Sequence, residues 1–170
     1  MNSILVTGGA GFIGSHTCLL LLEKDYEIFV IDSFTNSSPK SLEKVQEILK
    51  NKDINKKVKL HIIKGDIKNP NDIERVFRMS NKLNKKIEAV IHFAGLKSVS
   101  DSQFKPFLYW ENNVNGTINL LKIMEKYNCK NFIFSSSATV YKSKLNKLLN
   151  EDSICDPINP YGNTKLTIER

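Results

Sequence analysis

The stretch Val6-Thr7-Gly8-Gly9-Ala10-Gly11-Phe12-Ile13-Gly14 constrains the fold more than any other feature of this chain. It follows a β-branched run, Ile4 to Thr7, and opens a segment with helical spacing, Phe12 to Lys24. Glycines at 8, 11 and 14 permit a tight turn, close backbone approach to a pyrophosphate and close packing of helix on strand. The free amides and dipole at the helix N-terminus then favour an anionic ligand. Alone, such a glycine pattern is weak evidence. Placed between a strand and a helix, it predicts a dinucleotide-binding turn.

The rest of the sequence repeats that alternation. Ile28 to Ile31, Val58 to Ile63, Ala89 to Phe93 and Asn131 to Ser135 are short, nearly continuous apolar runs, as expected of parallel strands covered on both faces. Between them, Ser41 to Leu49, Asn71 to Lys82 and roughly Ser98 to Tyr127 have helical spacing. Asn69-Pro70-Asn71-Asp72 supplies a turn and helix start, with Asp72 or Asn71 as the expected N-cap. The predicted fold class is α/β, a Rossmann-like doubly wound parallel sheet. Its 170 residues suit one domain, 1–170. Pro157 to Pro160 leads into a helix starting at Tyr161, and no Gly, Pro or cap ends that helix before Arg170. The domain is therefore expected to be truncated at its C-terminus.

Composition excludes several alternatives. No apolar run approaches the roughly 20 residues of a membrane span, and the glycines interrupt anything like a signal peptide. A cytoplasmic location is expected. Cys18, Cys129 and Cys155 are scattered and odd in number, which argues against a disulfide framework or a zinc site. The net charge of +7 comes from 22 Lys and only 3 Arg. Arg is the preferred bidentate phosphate reader, so the charge is not taken as a nucleic-acid signature. The densest cluster, Lys50 to Lys59, has no interleaved aromatics and reads as a solvated loop.

Asp32 ends the second strand 18 residues after Gly14, the expected place for a carboxylate on the adenine-ribose hydroxyls. It would repel a 2′-phosphate, and no Arg stands nearby to accept one, so NAD is expected rather than NADP. Asp66-Ile67 and Phe93-Ala94-Gly95 also follow strands, at the edge where open α/β sheets bind ligands.

Tyr161 and Lys165 lie four apart, on one face of a helix. A free tyrosine titrates near about 10. Using one as a general base near neutrality therefore requires an adjacent cation, here the Lys165 ammonium. Ser135-Ser136-Ser137 ends the fifth strand at the same edge, where a hydroxyl can bond the substrate oxygen that the tyrosine deprotonates.

With these motifs in view, the chain resembles the extended short-chain dehydrogenases/reductases, and closely the UDP-glucose 4-epimerase family within them. The resemblance rests on Leu5 to Thr17, Val90 to Lys97, Asn112-Asn113-Val114-Asn115-Gly116-Thr117, Phe132 to Tyr141 and Pro160-Tyr161-Gly162. It implies catalytic roles for Ser137, Tyr161 and Lys165. It also implies cofactor contacts from Gly8, Gly11, Phe12, Ile13 and Gly14, and from Asp32, Ser33, Phe34, Thr35, Asn36 and Ser37. Asp66 and Ile67 would flank adenine. Phe93, Ala94, Gly95, Leu96, Lys97 and Asn112 would line the pyrophosphate and nicotinamide side, together with Tyr161 and Lys165. Lys97, Ser137 and Tyr161 would meet a UDP-sugar, and no metal is implied. The implied reaction is transient oxidation at sugar C4, in galactose metabolism, in a possible homodimer. Related dehydratases carry an Asp-Glu pair after the Ser/Thr at the fifth-strand end. Ala138-Thr139 stand there in this chain and supply no such acid, which sets an epimerase ahead of a dehydratase; the alternatives are another NAD-dependent nucleotide-sugar epimerase or dehydratase, or a truncated NAD-binding module without turnover. Lys142 replaces the Gly that usually follows Val-Tyr. The C-terminal region that binds most of the UDP-sugar is expected to be absent.

Overall fold

The structure, a computed structural model, describes residues 3–51, 59–142 and 148–170. Five parallel strands, β1 (Ser3–Thr7), β2 (Glu27–Asp32), β3 (Leu60–Lys64), β4 (Ile87–His92) and β5 (Asn131–Phe134), form one sheet in the order β3-β2-β1-β4-β5. The expected doubly wound parallel sheet is what the chain adopts. Helices α1 (Phe12–Glu23), α2 (Lys40–Asn51) and α3 (Pro70–Lys82) join the first four strands. The expected Val58 start of the third strand, the Lys50 to Lys59 cluster and most of the Lys142 to Asn150 stretch include positions 52–58 and 143–147, which lie outside the described residues.

Strand alternation divides the interior into two cores. Leu5, Phe29, Ile31 and Val90 face Ile73, Val76 and Phe77 of α3. Ile4, Val6, Ile28 and Val30 face Cys18 and Leu22 of α1 and Leu42, Val45 and Leu49 of α2. Both faces are therefore apolar, which is why the strands read as continuous runs instead of alternating ones. All three cysteines are free; burial pushes the Cys18 thiol up to about 12. Among the described residues no helix is long and apolar enough to cross a membrane.

Two expectations change. The helix expected over Ser98 to Tyr127 is four pieces: α4 (Val99–Phe104), α5 (Pro106–Tyr109), a π-helical segment Trp110–Asn115, and α6 (Gly116–Lys126). Pro106 causes the first break, because a residue before proline is pushed out of the helical region, and Lys105 sits at φ −131°, ψ 52°. The N-cap of α3 is Asn69, not Asn71 or Asp72. Its side chain accepts from the Asn71 amide at 3.1 Å, and Pro70 takes the first helical position, where it gives up no bond. The same device starts α7 (Pro160–Glu169): Asn159 accepts from the Gly162 amide at 2.8 Å, followed by Pro160.

Candidate active site

Because all five strands are parallel, the loops after them converge on one edge of the sheet. Between these loops lies a cavity of about 630 Å³. The glycine loop forms its base. Gly8 has φ +66°, and a Cβ there would lie 2.6 Å from the Ala94 amide nitrogen, so only glycine lets the first and fourth loops meet. A Cβ on Gly14 would lie 2.4 Å from the Gly8 carbonyl oxygen, so glycine also lets α1 start directly on the turn. No side chain caps α1 and its first turn holds no acidic residue, which leaves its amides to an external anion.

Asp32 lies at the second strand's end, buried, with each carboxylate oxygen engaged. One accepts from the Ala10 amide at 2.9 Å; the other accepts from the Phe34 amide at 2.9 Å and the Ser37 hydroxyl at 2.7 Å. Ser33, Thr35, Asn36 and Ser37 line the cavity beside it. Phe34 does not: at φ +56° its ring turns back onto the α1–α2 core. Asp66 and Ile67 line another wall of the cavity. Asp66 accepts from the Lys68 amide at 2.9 Å, and Ile67 packs where a Cβ on Gly116 would meet it at 2.7 Å. Phe93 through Lys97 and Asn112 close the other side.

The helix α7 brings Tyr161 and Lys165 to this cavity. The Lys165 ammonium donates to the Ser135 carbonyl at 2.9 Å and stands 4.7 Å above the Phe134 ring and 5.9 Å from the centre of the Tyr161 ring. Burial lowers its pKa to about 8. The Tyr161 ring is buried and meets the edge of the buried Tyr109 ring at 6.4 Å. Of the serine run, Ser135 and Ser136 line the cavity and Ser137 stands off its wall. The Ser137 hydroxyl caps a 3₁₀ turn, Ala138–Val140, accepting from the Thr139 amide at 3.2 Å and its hydroxyl at 2.9 Å. The Ser136 hydroxyl bonds the Glu169 carboxylate.

Sequence reasoning passed over several residues of the site. Ala10, Gly65, Lys68 and Leu108 line the cavity. Asn113, next to the expected Asn112, is 1% exposed and ties the site together. Its side chain accepts from the Leu96 amide at 2.8 Å and donates to the Leu96 carbonyl at 3.0 Å and the Thr164 hydroxyl at 3.2 Å. The run Asn112-Asn113 held the only signal, and nothing in it said which amide faced inward. Among the described residues, no group of three His, Cys, Asp or Glu side chains could hold a metal.

A family model described as GDP-mannose 4,6 dehydratase matches residues 5–170. UDP-glucose 4-epimerase 3 of Oryza sativa subsp. japonica is 48% identical over 167 residues, 98% of this chain and 43% of that protein. UDP-glucose 4-epimerase of Bacillus subtilis is 46% identical, over 99% of this chain and 46% of its own length. The crystal structure of UDP-glucose 4-epimerase from Bifidobacterium longum in complex with NAD+ and UDP superimposes with a TM-score of 0.86 at 43% identity, covering 99% of this chain and 47% of that one. The chain thus spans about half the length of the relatives it matches.

Proposed function

This chain belongs to the GDP-mannose 4,6 dehydratase family, and from that premise and the site geometry we propose that it is the NAD-binding half of a UDP-glucose 4-epimerase. The observation that carries the proposal is the arrival of Tyr161 and Lys165 on the wall of the cavity whose base is the glycine loop. Residues 1–170 form the cofactor domain in this reading, and the UDP-sugar completes its site with chain beyond it.

The residues present fit NAD. Gly8, Gly11 and Gly14 give a pyrophosphate access to the uncapped amides of α1, with Phe12 and Ile13 flanking them. Asp32 with Ser33, Thr35, Asn36 and Ser37 takes the adenosine, Asp66 and Ile67 flank adenine, and Phe93 through Lys97 with Asn112 line the nicotinamide side. NAD held by these residues would supply reversible hydride acceptance at sugar C4, with no external oxidant consumed. Tyr161 takes the proton of the C4 hydroxyl, and the Lys165 ammonium stabilises the resulting phenolate. Ser137 accepts two bonds from Thr139, and no described residue takes its own hydrogen, which supports its donation to the substrate oxygen. Lys97 meets the sugar nucleotide. Ala138 and Thr139 supply no carboxylic acid for expelling water, which favours epimerisation over dehydration. The exposed Phe104, Phe107 and Trp110 suit a homodimer contact. A cytoplasmic place in galactose metabolism belongs to the same reading.

The assay incubates UDP-galactose, with and without added NAD, and follows UDP-glucose. It uses the 170-residue chain and a fusion of residues 1–170 to the second half of the Bacillus subtilis relative. Product from the fusion, lost in Tyr161→Phe with NAD still bound, is the expected result. A fusion that binds NAD and UDP-galactose yet yields no UDP-glucose overturns the proposal, and an active Tyr161→Phe overturns the base assignment.

A further inference from the structure

Directly beneath the cofactor edge, β1, β4 and α6 meet at a fully buried chain of polar groups. Thr7, His92 and Thr117 are each no more than 1% exposed. Thr7 Oγ1 lies 2.5 Å from His92 Nδ1, and His92 Nε2 lies 2.9 Å from Thr117 Oγ1. Thr117 Oγ1 also donates to the Asn113 carbonyl at 2.6 Å, and Thr7 Oγ1 also accepts from the Ala94 amide at 3.2 Å.

Counting hydrogens settles the direction of every link. The single hydrogen of the Thr117 hydroxyl goes to the Asn113 carbonyl, so toward His92 it can only accept, and Nε2 carries the ring proton. A neutral imidazole has no second proton, so Nδ1 accepts from the Thr7 hydroxyl. With its hydrogen spent, Thr7 accepts from Ala94. The other tautomer would press two bare oxygens together between Thr117 and Asn113 and leave the Thr7 hydrogen with no acceptor. An imidazolium would leave the Thr7 hydrogen equally stranded, in a site where an unmet polar group is costly. Only one arrangement satisfies all five groups.

We infer that His92 is a positioning residue: a neutral imidazole held as the Nε2–H tautomer, it couples the Phe93–Lys97 loop to the segment that holds the catalytic helix. At one end, the chain fixes the Ala94 amide against Gly8, where the two loops have no room for a Cβ. At the other, it holds the carbonyl of Asn113, whose side chain binds Leu96 and Thr164. Thr164 lies between Tyr161 and Lys165 and donates to the Tyr161 carbonyl at 2.7 Å. Burial lowers the His92 pKa to about 3, with the Lys165 charge adding to the effect, so the ring stays neutral while the site works.

The inference rests on the proposed function only in taking NAD as the occupant of the cavity. Nitrogen-15 NMR of histidine-labelled protein at pH 7, without cofactor, reads the tautomer; the His92 signals are those missing from His92→Phe. The expected spectrum has a pyridine-type Nδ1 and a pyrrole-type Nε2. Thr117→Val removes the acceptor and leaves the His92 Nε2–H unmet while Thr7 still donates to Nδ1, and Thr117→Ser keeps the native arrangement. By calorimetry, Thr117→Val should bind NAD about tenfold more weakly, about 1.4 kcal/mol, with Thr117→Ser near wild type. A pyrrole-type Nδ1 or an imidazolium in the wild type overturns the tautomer. Unchanged NAD affinity in a folded Thr117→Val overturns the positioning role. Wild-type protein that binds no NAD refutes the functional reading instead, and a fusion lacking epimerase activity leaves this inference standing.

Discussion

Lys165 offers a sharp test because its charge is held where a charge is disfavoured. Burial lowers it from 10.5 to about 8, although its ammonium bonds the Ser135 carbonyl and faces the Phe134 ring. Between those two pH values the unfolded chain keeps a proton that the folded chain has released. The unfolded state then binds more protons, so stability rises with pH across that window. At about 1.4 kcal/mol per pH unit, the whole contribution is about 3 kcal/mol: an unfavourable one below pH 8, gone by pH 10.5. Lys165→Met removes the titration. Losing the Ser135 bond also changes stability, but that offset does not vary with pH, so the slope isolates the proton. Urea unfolding of both proteins, followed by circular dichroism at pH 7, 8, 9 and 10, gives the difference directly. Wild type should gain on the variant by about 1 kcal/mol for each pH unit from 8 to 10. A flat difference would mean Lys165 is not buried as a cation, and a falling one would mean its ammonium is stabilised overall. The same titration limits function: NAD binding should weaken above pH 8 as the ammonium is lost.

Gly8→Ala places a Cβ 2.6 Å from the Ala94 nitrogen at a positive φ. It should lose about 2–4 kcal/mol in denaturant unfolding together with NAD affinity, and a neutral substitution would refute the tight approach of the two loops. Glu74 accepts from Lys126, Arg78 and Tyr127, which hold its carboxyl down to about 2. The stability it contributes is fully present above its ordinary value of 4.5 and is lost as pH falls toward 2. Thermal melts of wild type and Glu74→Gln from pH 5 to pH 2 should converge, and a constant gap would count against the pairing.

The architecture was legible because it rests on local rules. A glycine pattern between strand and helix, continuous apolar strands and regular alternation each point to the same parallel sheet, and Asp32, Tyr161 and Lys165 line the cavity at its edge. Pro106 breaks the segment between Val99 and Lys126, and the apolar spacing that resumes beyond it masks that break in the sequence. Phe34 and Ser137 were assigned by position in a motif. Their side chains turn instead to the α1–α2 core and to the 3₁₀ turn, since a left-handed residue and a local cap depend on backbone angles that residue identity does not dictate.

By itself, the sequence determined the fold class and the sheet edge where the cavity lies, because these depend on periodicity and short-range spacing. Only the tertiary structure decided what lies beneath that edge. Thr7, His92, Asn113 and Thr117 come from strands and helices up to 110 residues apart, and the hydrogens they share have one direction only once burial removes water as an alternative partner. Proton placement of that kind is a property of contacts, and no local pattern encodes it.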